Sequence, residues 1–69
     1  MFTADENRVR MERAGIAVLE LSRHTPVGTF WGAFGRLDGK FAWGLGASRE
    51  EAWQAALRDA EALGLLRRG

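Results

Sequence analysis

The stretch from Thr29 to Leu45 reads TFWGAFGRLDGKFAWGL, and it decides the fold of this chain. Two runs of aromatic and small residues flank Asp38-Gly39, a pair that readily adopts the positive φ angles of a two-residue type I′ turn. Such a turn fixes the register of a hairpin, so we expect Leu37 opposite Lys40. The sequence therefore predicts two antiparallel strands, Thr29–Leu37 and Lys40–Leu45.

Alternation along these strands sorts their side chains onto two faces of a sheet. One face is bulky and carries Phe30, Phe34, Phe41, Trp43 and Leu45. The reverse face is nearly bare and carries Trp31, Ala33, Gly35, Ala42 and Gly44. We expect the helices to cover the bulky face, which leaves Trp31 with Ala33 and Ala42 as a flat platform for a partner protein, a second copy or a stacked base. Alternatively, the N-terminal segment folds over Trp31.

A second helix is predicted from Ser48 to Leu63. Ser48 and Glu51 have the spacing of a capping box, and Gly64 fits the glycine that follows a helix end, with Leu65 placed for the accompanying apolar contact. Alanines among the apolar positions let the helix axis lie close to a sheet. At this spacing Trp53 either enters the core or borders the surface around Arg49.

The N-terminal half is less clearly patterned. Thr3 and Glu6 fit a capping box for a helix over residues 4–14, although the alternation of Val9 and Met11 also fits a strand. Residues 16–21 predict a strand, and residues 23–28 predict a loop containing Pro26. The whole chain, 1–69, is expected to form a single α+β domain: a three-stranded antiparallel sheet with an N-terminal helix and a long C-terminal helix packed on one face (α-β-β-β-α).

Composition narrows the function classes. The chain has no Cys, no Tyr and one His, His24, so neither a thiol nucleophile nor a metal centre is expected, and we expect no enzyme activity and no cofactor. The net charge of +1 indicates a mixed surface. No apolar run reaches the length of a membrane span, so we expect no membrane association and a cytoplasmic location.

The strand-to-helix segment resembles the signature of double-stranded-RNA-binding domains at six positions: Gly44, Gly46, Ser48, Ala52, Ala55 and Ala56. That family has the order α-β-β-β-α, and the resemblance implies that Arg49 contacts phosphate at the start of the second helix and that His24 reaches a minor groove. Two other lysine positions of the signature are Glu50 and Trp53 here, which removes two phosphate contacts. Similar junctions occur in HicB-like antitoxin domains.

Two functions follow as hypotheses. The first is a module that binds duplex or structured nucleic acid weakly, through Arg49, His24, Arg36, Arg67 and Arg68. The second is a protein-interaction or self-associating regulatory module, such as an antitoxin-like protein or a phage-type inhibitor. Its predicted contact residues are Trp31, Ala33, Ala42 and Trp53.

Overall fold

A computed structural model describes residues 2–66 of the chain. The elements are helix α1 (Ala4–Arg13), strands β1 (Ala17–Thr25), β2 (Gly28–Leu37) and β3 (Lys40–Gly46), and helix α2 (Arg49–Ala62). The strands form one antiparallel sheet in the order β1-β2-β3, and both helices pack on the same face of it. The predicted α-β-β-β-α architecture is confirmed.

The β2–β3 hairpin has the predicted turn and register. Asp38 and Gly39 have φ angles of 53° and 77°, as a type I′ turn requires, and Leu37 pairs with Lys40. The pairing continues along the strands and brings Phe34 opposite Trp43. The two-residue turn at Asp38-Gly39 therefore determines on which face of the sheet each side chain of both strands lies.

The loop predicted over residues 23–28 is too long. Strand β1 continues to Thr25 and β2 begins at Gly28, so only Pro26 and Val27 remain in the turn. The Thr25 hydroxyl donates to the carbonyl oxygen of Gly28 at 2.8 Å and accepts from the Val27 N–H at 3.3 Å. These bonds close the turn early, and the polar residues before it are accommodated as an exposed strand end.

The helix ends follow the predicted capping chemistry with one difference. Residues 4–13 are helical, and the strand alternative is wrong: the Thr3 hydroxyl accepts from the Glu6 N–H at 3.1 Å, and the Glu6 carboxylate accepts from the Thr3 N–H at 3.2 Å. At α2 the Ser48 hydroxyl accepts from the Glu51 N–H, but the Glu51 carboxylate accepts from the Ala47 N–H instead of closing the box.

The C-terminal cap of α2 is as predicted. Gly64 has a φ of 78°, and the Leu65 N–H donates to the Ala60 carbonyl at 2.9 Å. This bond joins residues five apart and is typical of a helix that ends at a glycine. Leu65 also packs against the core.

The core lies on the face that we predicted to be open. The sheet contributes the small side chains Ala33 and Ala42, both fully buried, whereas the helices contribute the large ones, Trp53 and Met11. The prediction that the helices cover the bulky aromatic face is wrong. Large helix side chains fit against small sheet side chains at high packing density, whereas two bulky surfaces would hold the layers apart.

Gly44 shows how closely α2 approaches the sheet. A Cβ atom at this position would lie 2.4 Å from the Ala52 carbonyl oxygen and 2.4 Å from the Ala56 nitrogen, both in the backbone of α2. A Cβ at Gly35 would instead meet side-chain atoms, the Ile16 Cγ2 at 2.7 Å and the Met11 Cε at 2.8 Å, and only the Met11 end is flexible. The contact at Gly44 therefore allows no side chain unless the helix shifts.

We expect Gly44→Ala to destabilise the fold by about 2–3 kcal/mol, because the added methyl group pushes α2 off the sheet. Gly35→Ala, on the same face, should cost less, about 1–2 kcal/mol, because it displaces side-chain atoms rather than the backbone of a helix. Urea denaturation followed by far-ultraviolet circular dichroism measures both. Equal losses in the two variants would contradict the close helix–sheet contact.

Candidate functional site

The sheet face away from the helices is a continuous apolar surface, which we call the open face. The register places on it the odd-numbered positions of β1 and β3 and the even-numbered positions of β2. Six of its large apolar side chains are 53–63% exposed: Leu19, Leu21, Phe30, Phe41, Trp43 and Leu45. Phe34 lies at its centre and is half-buried. No helix covers this surface in the part of the chain that the structure describes.

The open face has relief. A hollow of about 360 Å³ lies around Gly32, between Leu21, Phe30 and Leu45. A second hollow of about 250 Å³ lies toward the other end of the strands, lined by residues that include Ala17, Leu19, Arg36 and Phe41. Phe34 lines both hollows and separates them, with its ring leaning over Gly32, where a Cβ would lie 2.9 Å from the ring. The surface therefore has two depressions, with the half-buried Phe34 ring between them.

Charge on the open face is confined to its ends. Arg23 and Arg36 are the charged residues that the strand register assigns to this side, and they lie at opposite ends of it. The strands place no carboxylate on the face. Its middle is uniformly apolar, which is the composition of a contact surface with a dry centre and a polar rim.

The predicted protein-contact residues lie in the core instead. Trp31 is half-buried and packs on the helix side of the sheet, and Ala33, Ala42 and Trp53 are fully buried. The platform predicted around Trp31 is wrong for the same reason as the core prediction: the bare face is the one that admits α2. Between the two alternatives for Trp53, the core position is the observed one.

Arg49 forms ion pairs with two carboxylates and does not extend freely into solvent. Its guanidinium donates to Asp5 of α1 at 2.9 Å and to Glu20 of β1, and Glu20 also accepts from the indole N–H of Trp53 at 2.7 Å. One arginine thus links α1, β1 and α2 beside the core. The acids Asp5 and Glu20 are far apart in sequence from Arg49, so sequence patterns gave no signal for this cluster.

The pKa values in this cluster reflect the pairing. Burial raises the pKa of Glu20, but the hydrogen bonds from Trp53 and Arg49 outweigh burial and leave the pKa lowered. The hydrogen bond from Arg49 lowers the pKa of Asp5, and its two acidic partners raise the pKa of Arg49. Arg49 is therefore a neutralised structural cation.

The other predicted nucleic-acid contacts are scattered. His24 is exposed at the end of β1, where its Nδ1 lies 2.8 Å from the Thr29 hydroxyl, and Arg36 is on the open face, on the side of the sheet opposite Arg49. Arg67 and Arg68 lie outside the described residues. Residues 2–66 do not bring Arg49, His24 and Arg36 onto one surface.

Three further observations concern metal ions, membranes and a hollow on α1. Within residues 2–66, no group of three or more His, Cys, Asp or Glu side chains could hold a metal ion. Nor is any helix in this range long and apolar enough to cross a membrane. A hollow of about 410 Å³ on the outer surface of α1 has mixed acidic and basic walls, and Arg10 already stacks on the Phe2 ring 5.2 Å away beside it.

We expect Glu20→Gln to lower stability by about 1 kcal/mol near neutral pH, because it removes the charge-assisted bonds at the centre of the cluster. A lowered folded-state pKa stabilises the fold above the ordinary carboxyl pKa of about 4, and this contribution is lost as the pH falls through the folded value. The difference between wild type and Glu20→Gln should therefore be complete above about pH 5 and shrink in acid.

Thermal unfolding from neutral pH to about pH 3 measures this difference. The matched control is Glu50→Gln, which removes an exposed carboxylate from the first turn of α2. A gap between wild type and Glu20→Gln that stays constant across the whole pH range would contradict the role assigned to the cluster.

Comparison of the chain with models of protein families, with curated proteins and with solved structures finds no match. The observed topology is compatible with a fold like that of double-stranded-RNA-binding domains. What the geometry itself provides is an uncovered apolar sheet face on one side and an internally neutralised arginine on the other.

Proposed function

We propose that this chain is a non-catalytic protein-interaction module and that the open face is its binding surface. The observation that carries this proposal is the exposure of six large apolar side chains on one side of a single sheet. Soluble monomers rarely expose contiguous apolar patches beyond a few hundred Å², and larger ones mark interaction sites. Arginines at the ends of the patch fit the polar rim of such a site.

The apolar residues of the open face do not serve the core of a single copy. That core forms on the opposite side of the sheet, around Trp53 and Met11. An apolar surface that the core does not use is suited to burial against a partner, as in a small regulatory or inhibitory protein.

Nucleic-acid binding is the second candidate. The α-β-β-β-α topology and the residues Gly44, Gly46 and Ser48 support a domain resembling those that bind double-stranded RNA. The pairing of Arg49 with Asp5 and Glu20 weighs against it, because those bonds occupy the one signature cation that the sequence retains. The protein-interaction function is therefore the better supported of the two.

We expect no binding of duplex RNA or duplex DNA at about 1 µM protein in low salt, because phosphate affinity requires clustered unpaired cations. Fluorescence anisotropy with both duplexes at two salt concentrations tests this. Affinity that falls steeply with added salt and is weakened by Arg49→Ala would favour the nucleic-acid function instead. Glu50→Gln is the matched variant at the neighbouring position and leaves the arginine intact.

We expect Trp43→Ser to reduce retention of the chain's protein partner at least about tenfold, because a large exposed aromatic side chain in a contact surface contributes heavily to affinity. The partner is identified by cross-linking tagged chain in an extract of its own cells, and a second copy of the chain counts as a partner. Val27→Ser is the matched control, since Val27 is 87% exposed but lies in the β1–β2 turn.

Unfolding midpoints accompany the measurement, and Trp43→Ser should cost no more than about 1 kcal/mol of stability. Equal retention by the two variants, or the absence of any cross-linked protein with the wild-type chain, would count against the proposed function.

A further inference from the structure

We propose that the partner of the open face is a second copy of this chain, with the two sheets packed face to face about a two-fold axis. This inference rests on the proposed function, because it assumes that the open face binds protein. It adds the identity of the occupant and the register in which the two copies meet.

The area of the open face matches what a stable dimer needs. Aromatic side chains offer roughly 150–250 Å² each, so one that is about half exposed still offers roughly 100 Å², and a half-exposed leucine offers slightly less. Three aromatic residues and three leucines give roughly 500–600 Å² per copy, and a face-to-face pair would bury roughly 1,000–1,200 Å². Specific interfaces bury at least about 1,000 Å² in total, so the face is large enough without any further element.

The relief of the face is self-complementary. The Gly32 row contains the larger hollow, and the Phe34 ring of the next row forms one wall of it and leans over Gly32. A two-fold axis lying in the interface, perpendicular to the strands and between these rows, sets each Phe34 ring against the Phe34 ring and the hollow of the other copy. Symmetry makes the contact reciprocal, and side chains of two packed sheets interdigitate in this way across about 10 Å.

The same axis sets each strand against its counterpart. Leu19, in the Phe34 row of β1, then lies over Leu21 of the other copy, and Trp43 of β3 lies over Leu45. At the rim, Arg36 of each copy reaches the Phe30 end of the other, where its guanidinium can stack on the Phe30 ring. Arg23 lies at the same end, so two arginines approach each other there, and both keep their water because the rim is solvated. No carboxylate from the strands is buried in this arrangement.

The edge of the sheet at β3 offers a weaker route to association. The Trp43 N–H donates to the Asp59 carboxylate of α2 at 3.0 Å, which occupies a backbone donor that a further strand would need. An occupied edge and an open face favour a closed dimer over an extended stack of sheets.

The test is a charge-complementation experiment followed by sedimentation equilibrium from about 1 to about 100 µM. The wild-type chain, of 7.6 kDa, should sediment at twice that mass in the upper part of this range. Leu19→Glu and Leu21→Lys each place an unpaired charge in the interface and should weaken self-association at least about 100-fold. Both leucines are more than half exposed on an edge strand, so the single copies should stay folded.

An equal mixture of the two variants should recover dimer to within about tenfold of the wild-type affinity, because the introduced carboxylate and ammonium face each other only across this two-fold contact. Recovery also shows that both variants are folded. The control Val27→Lys, off the open face, should remain dimeric. Dimers that persist in both single variants, or a mixture that stays monomeric, would overturn the proposed arrangement.

A wild-type chain that remains monomeric at about 100 µM would overturn the second copy as occupant. The proposed function is tested independently of this result. It depends on whether Trp43→Ser loses a cross-linked protein that Val27→Ser retains.

Discussion

The approach of α2 to the backbone of Gly44 is the constraint on which the rest of the structure depends. Backbone atoms of the helix lie where any side chain at this position would begin, so the two layers meet at the shortest distance that the sheet allows. That contact selects the face with the smallest side chains. The large residues of the core then come from the helices, and Trp53 fills the space that the sheet leaves empty.

The orientation of the sheet has a direct consequence for function. Once α2 occupies the bare face, period-two alternation sends every aromatic residue of β2 and β3 except Trp31 to the other side. The same alternation places two leucines of β1 beside them. Residues 2–66 form two layers and no third one over that surface, so the apolar side chains remain exposed. The proposed interface is therefore a by-product of tight packing on the opposite face.

The cluster around Arg49 shows that an arginine at a helix start can have a structural role instead of a phosphate-binding one. A cation at the start of a helix has the position of a phosphate contact in the signature that the sequence resembles. Here Asp5 and Glu20 approach it from two other elements, and the N–H of Trp53 completes the cluster. The paired carboxylates lower the electrostatic attraction for phosphate and fasten α1 and β1 to α2. Residues that resemble a binding motif thus hold the fold together.

Local signals in the sequence determined the element order, the type I′ turn at Asp38-Gly39, the register of β2 and β3, and the ends of both helices. Each of these depends on neighbours within a few residues, so a pattern can report it. The sequence did not determine which face of the sheet the helices cover. Burial of large side chains favours the aromatic face, whereas close approach of a helix to the sheet favours the face with small side chains. Only tertiary packing decides between the two faces, because the clearance between α2 and Gly44 depends on atoms that the fold brings together. The same holds for the pairing of Arg49 with Asp5 and Glu20.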